Sequence, residues 1–120
     1  VSRVTIVTSG TPMVIEQIKA QLERLVPVRK VNDLTVDGPH VEREMALIKV
    51  RGEGDKRVEA LRLADAFRAR IVESSNASFV FEITGASGKI DAFTELMRDI
   101  GLCEIARTGV VGITRGKDVL

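Results

Sequence analysis

The feature that most constrains this 120-residue chain is a repeat within it. Shifted by 75 positions, Gly10 falls on Gly85, Ile15 on Ile90, Ile18 on Phe93, Leu22 on Met97, Leu25 on Ile100 and Val28 on Cys103. Each copy reads as a strand end, a glycine, one apolar helix stripe and a closing strand. The chain is therefore built from a recurring α/β unit rather than from one irregular domain.

The local signals agree with the repeat. Residues 3–9 are β-branched and stop at Gly10, as a strand does. Thr11-Pro12 supplies an N-cap followed by proline at the first helical position. Ile15, Ile18, Leu22 and Leu25 then mark one buried helix stripe, Pro27 ends it, and residues 28–34 read as a strand. Farther on, Met45 to Val50 is a strand, and Asp55 caps a helix to about residue 69 with Val58, Leu61, Ala64 and Phe67 inward. Residues 70–74 and 78–84 pair around Ser75-Asn76. Ser87 caps a helix bearing Ile90, Phe93, Met97 and Ile100, and Leu102 to Ala106 closes the unit.

Residues 41–106 thus spell β-α-β-β-α-β, the α+β ferredoxin-like arrangement. Residues 1–36 match only its second half, β-α-β, with residues 37–42 as a Gly-Pro linker and 43–120 as the complete domain. On this reading about 35–40 residues of the first unit precede Val1. Ile18, Leu22, Leu61, Phe67, Phe81, Ile90 and Phe93 are the expected core, and Cys103, equivalent to Val28, is expected to be buried with them.

Composition removes several function classes. Eighteen basic and seventeen acidic side chains leave a formal charge of +1, no footprint for nucleic acid or an anionic membrane. The only aromatics are four Phe, and Phe79-Val80-Phe81 is better read as core than as a base-stacking platform. One Cys and one His give no intrachain disulfide and no ordinary zinc site, which suits a reducing cytoplasm.

No motif assembles a catalytic group. Gly85-Ala-Ser-Gly-Lys89 is a cap and tight turn, not a P-loop, because Ile90 stands where a Mg²⁺-binding hydroxyl is needed. Asp91 and Glu95 share a helix face without a base, nucleophile or metal ligand beside them, and read as solvated. The motifs therefore offer no catalytic residue and no metal-ligating residue. Arg43, Glu44 and Arg107 are the candidate partner-contact residues, against a default of local ion pairs.

Arg29-Lys-Val-Asn-Asp-Leu34, His40-Val-Glu-Arg-Glu44, Phe67-Arg-Ala-Arg-Ile-Val72, Thr84-Gly-Ala-Ser-Gly-Lys-Ile-Asp-Ala-Phe93 and Ala106-Arg-Thr-Gly-Val-Val-Gly112 resemble, in order, the acetolactate synthase small-subunit family. The resemblance implies two ACT-type ferredoxin-like domains, the first of them halved here, and a homodimer formed through them. It implies a non-catalytic regulatory subunit that activates a large catalytic subunit and confers branched-chain amino-acid feedback, usually by valine. Thiamine diphosphate, Mg²⁺ and FAD would belong to that large subunit. The family's effector turn would precede Val1, so no effector ligand is carried onto this chain. A free-standing ACT-type amino-acid sensor is the alternative. An acylphosphatase-like enzyme, with Asn76 as its only candidate, ranks third.

Overall fold

The structure, a computed structural model, describes residues 2–36, 38–117 and 119; Asp37, where the expected linker begins, lies outside them. Its elements are α1 (Pro12–Glu23), β1 (His40–Arg51), α2 (Asp55–Ala66), β2 (Arg70–Ser74), β3 (Ser78–Gly85), α3 (Ser87–Ile100), β4 (Leu102–Arg107) and β5 (Val111–Thr114). They fall into two compact units, residues 43–110 and residues 1–42 with 111–120. The sequence placed the second domain's end at residue 120; the compact unit ends at Val110.

In the unit of residues 43–110 the antiparallel strand order is β2-β3-β1-β4, the ferredoxin-like order. Strand alternation sends Ala46, Ile48 and Val50 of β1 and Phe79, Phe81 and Ile83 of β3 to one face. Ile90, Phe93, Met97 and Ile100 of α3 join them in one core, at the helical spacing read from the sequence. Phe93 organises that core, tilted against Phe67 at 5.3 Å and edge-on to Phe81 at 6.0 Å. Arg57 lies 4.1 Å over the Phe79 ring and donates to the Ser75 and Asn76 carbonyls, clamping the β2–β3 turn.

Three expectations for this unit are corrected, and one strand outside it is added. Helix α2 buries Ala60, Leu63 and Ala64, while Val58 is 66% exposed and Leu61 and Phe67 are half-buried. Its small residues let the helix lie close to the core, which rotates the apolar arc away from Val58. Asp55 and Ser87 are the first helical residues rather than caps; Gly54 and Ala86 hold the cap positions. Cys103 is exposed, because the β1–β4 register passes from Lys49–Glu104 to Val50–Leu102 and leaves Cys103 as the extra residue of a bulge. Strand β5 was not anticipated.

The other unit contains α1, whose Thr11 Oγ1 accepts from the Val14 N–H at 3.3 Å, with Pro12 at the first turn as expected. Ile15, Ile18 and Leu22 are only half-buried, and no residue of α1 is fully buried. Residues 3–9 and 28–34 are not in strands, because β propensity yields a ladder only when a neighbouring strand takes up the backbone groups. Strand β5 pairs with β1, whose residues 40–42 belong to this unit. The Arg115 N–H donates to the Pro39 carbonyl at 3.0 Å, and the Gly112 N–H to Thr5 Oγ1 at 3.1 Å. Among the described residues no helix is long and apolar enough to cross a membrane.

Candidate functional site

Glu44 sits at the inward parity of β1, two residues before Ala46, and is only 6% exposed. A carboxylate placed there must be hydrogen-bonded, because desolvation without partners costs several kcal/mol. Arg107 supplies the partner. It stands opposite Ala46 on β4, so its side chain emerges on the same inner face. Its Nη2 donates to Glu44 Oε1 and its Nε to Glu44 Oε2 at 3.2 Å, a two-pronged fork. Its Nη1 donates to Asp91 Oδ1 of α3 at 2.6 Å. Ser87 Oγ donates to Glu44 Oε1 at 3.3 Å, and the Gly109 N–H also reaches the carboxylate.

The electrostatics follow. The Arg107 hydrogen bonds hold the Glu44 carboxyl below its ordinary range, against the upward push of burial. The bonds to Glu44 and then Asp91 hold the Arg107 guanidinium above its own. The Glu44–Arg107 pair is thereby held in its charged form. Its chemistry is that of a fixed ionic tie.

Thr108 extends the tie to the backbone. Its N–H donates to the Met45 carbonyl at 3.0 Å, and the Met45 N–H donates to Thr108 Oγ1 at 3.1 Å. Gly109 follows at φ 85°, a left-handed conformation that glycine adopts without strain, and its N–H reaches Glu44. The junction motif ending in Glu44 and the Arg107-Thr108-Gly109 motif are thus two halves of one lock.

Of the three candidate contact residues, the structure brings Glu44 and Arg107 together. Arg43, one residue away in β1, is exposed. The Glu44 carboxylate is engaged inside the unit, which leaves Arg43 and the 31%-exposed edge of Arg107 as the surface part of the trio. Sequence reasoning missed Asp91, read as solvated, and Ser87, read as a cap. The available signal was parity: a charge in register with Ala46, Ile48 and Val50 calls for a partner on the inner face.

The remaining motifs have local partners. Lys89 Nζ donates to the Thr84 carbonyl at 3.1 Å across the glycine turn. Arg98 pairs with Glu95, His40 Nε2 lies 2.7 Å from Glu42 Oε1, and Cys103 Sγ donates to the Gly101 carbonyl at 3.4 Å. Among the described residues no group of three or more His, Cys, Asp or Glu is placed to hold a metal ion.

Comparison with known proteins matches residues 43–116, the span that carries the lock, to the family described as the small subunit of acetolactate synthase. The acetolactate synthase small subunit of Aquifex aeolicus is 47% identical over 116 residues, 96% of this chain and 60% of that protein. The isozyme 3 small subunit of Escherichia coli is 42% identical over 120 residues, 99% of this chain and 73% of that protein. The crystal structure of the acetolactate synthase small subunit from Thermotoga maritima superposes with a TM-score of 0.79 at 43% identity, covering 92% of this chain and 68% of that one. With its ferredoxin-like unit and its joined junction and Arg-Thr-Gly motifs, the chain belongs to the acetolactate synthase small-subunit family.

Proposed function

We propose that this chain is a non-catalytic regulatory subunit that binds the catalytic large subunit of acetolactate synthase, raises its activity and confers inhibition by a branched-chain amino acid, foremost valine. The observation that carries this reading is the match of residues 43–116 to the family, over the span that contains the Glu44–Arg107 lock. Arg43 and the outer edge of Arg107 are the surface groups for the large subunit. Thiamine diphosphate, Mg²⁺ and FAD act in that partner, and this chain contributes no cofactor. Residues 1–36 act as part of an ACT-type unit, a reading supported by the 75-position repeat, and homodimers form through such units in the cytoplasm.

Regulation of this kind requires an effector that binds one arrangement of the subunits more tightly than another. The test is to reconstitute the chain with its large subunit and follow acetolactate formation while titrating valine. The chain alone should form none, and the large subunit should turn over faster with the chain than without it. Valine should lower the rate of the complex formed with a subunit that also carries the family's effector turn. A large subunit indifferent to the chain would overturn the proposal.

A further inference from the structure

The motif Arg29-Lys-Val-Asn-Asp-Leu34 has no part in the Glu44–Arg107 lock, and its first three residues have a place of their own. The chain turns after α1, and Arg29, Lys30 and Val31 line a cavity of about 210 Å³ together with Lys19 and Glu23 of the helix. All five belong to the unit of residues 1–42 with 111–120. Three of these side chains are cations and one is an anion, so the wall carries a formal charge of +2.

Those charges are not consumed inside the unit. Lys19 stands one helical turn before Glu23, the less favourable order for a helical pair. None of Lys19, Glu23, Arg29 and Lys30 has an ion-pair partner among the described residues. Asp33 feels the charge of Lys19, but its carboxylate is taken up by Thr35: Oδ1 accepts from the Thr35 N–H at 3.0 Å and from the Thr35 hydroxyl at 2.6 Å. Cations gathered around one cavity repel each other, and an anion inside it removes that cost.

We propose that this cavity binds a phosphate dianion, either free or as the phosphate group of a small monoester. The charge of the wall matches a dianion better than a monocarboxylate. The Arg29 guanidinium offers paired donors to phosphate oxygens, and the two lysines add point charges. The volume is several times the roughly 30 Å³ that a water molecule occupies in the liquid, room for a phosphate group with waters around it. Glu23 opposes the ligand and sets a ceiling on affinity.

Binding there has a structural consequence. No residue of α1 is fully buried, and Ile15, Ile18 and Leu22 hold the helix only as half-buried contacts. A dianion shared by Lys19 with Arg29 and Lys30 ties the helix to the segment that follows it, and stabilises the unit by mass action.

The test is an amide NMR titration of the 120-residue chain with inorganic phosphate and with methyl phosphate, at constant ionic strength. A pH of about 8 keeps both ligands largely dianionic. Saturable shifts should centre on Lys19, Glu23 and residues 29–31. Arg29→Gln and Lys30→Gln should each raise Kd about fivefold or more. Glu23→Gln should lower Kd, a gain that a damaged fold cannot produce. Lys56→Gln, at an exposed cation of the other unit, should leave Kd unchanged. Acetate should bind far more weakly than either phosphate, and the tighter of the two phosphates tells the free ion from the ester. Shifts that do not saturate, shifts spread over the exposed cations of the whole chain, acetate binding as tight as phosphate, or Arg29, Lys30 and Glu23 variants that bind like the parent would each overturn the proposal. No catalytic subunit enters the measurement, so its outcome is separate from that of the proposed function.

Discussion

Arg107 stands opposite Ala46 in the β1–β4 ladder, yet its guanidinium reaches along the inner face to Glu44, two residues earlier on β1. One side chain thereby ties the end of β4 to the start of β1 and, through Asp91, to the first turns of α3. The partners are unequal. Glu44 is 6% exposed, whereas Arg107 is 31% exposed and keeps Asp91 if Glu44 is removed.

That inequality sets the order of two substitutions. Arg107→Ala strands a buried carboxylate with only Ser87 and the Gly109 N–H, and should cost about 2–4 kcal/mol. Glu44→Ala leaves a partly solvated arginine still paired with Asp91, and should cost about 1–2 kcal/mol. Arg107→Lys should fall between wild type and Arg107→Ala, because an ammonium keeps the charge and loses the fork. Urea denaturation of the three variants checks the order, and a larger loss in Glu44→Ala than in Arg107→Ala would refute it.

The same pair makes stability depend on pH in the acid range. The folded-state pKa of Glu44 is depressed, so the unfolded chain takes up the proton first as pH falls. Its contribution is complete above the ordinary glutamate pKa of about 4.3 and is lost as pH drops through that value toward the lower folded one. Glu44→Gln should flatten this part of the profile. Thermal melts between about pH 3 and pH 7 measure it, and a variant curve parallel to wild type would assign the acid loss to other carboxylates.

How much of this was legible in the sequence depended on how many phases a segment allows. In α3, Ile90, Phe93, Met97 and Ile100 define a single stripe, and the structure buries that stripe. In α2, Val58, Ala60, Leu61, Leu63, Ala64, Ala66 and Phe67 cover a wide arc, so spacing alone could not choose the buried edge. Cys103 was misplaced because a bulge is set by two strands together and leaves no mark in one. Glu44 and Arg107 were picked out, but their union across the sheet, with Asp91, is a product of register. The strands expected at residues 3–9 and 28–34 show the same limit: composition gave the propensity, and pairing requires a neighbour.

The observed phase of α2 can be measured directly. Leu63→Ala removes a 9%-exposed side chain from the core and should cost about 2–4 kcal/mol, with Phe93→Ala costing about 3–5 kcal/mol. Val58→Ala, at a 66%-exposed position, should stay within about 0.5 kcal/mol of wild type. A Val58→Ala loss comparable with that of Leu63→Ala would restore the phase read from the sequence.

Two glycines at opposite ends of α3 should respond in opposite directions to the same added methyl. Gly101 caps the helix C-terminus at φ 152°, with its N–H on the Met97 carbonyl. A Cβ there would strike the Arg51 carbonyl oxygen. That carbonyl cannot easily retreat, because the Arg51 N–H is itself held by the Gly101 carbonyl at 2.8 Å. Gly101→Ala must therefore shift β1 against the helix end, and should cost about 2 kcal/mol or more. Gly88 lies in the first turn of α3, where an added Cβ meets nothing within 4 Å. Gly88→Ala trades backbone freedom in the unfolded chain for better helix propensity, and should stabilise by about 0.5–1 kcal/mol. Denaturant midpoints of the two variants give the comparison, with the m-value watched for a change in the unfolded state. Equal effects of the same sign would mean that the close approach of α3's end to β1 does not limit stability.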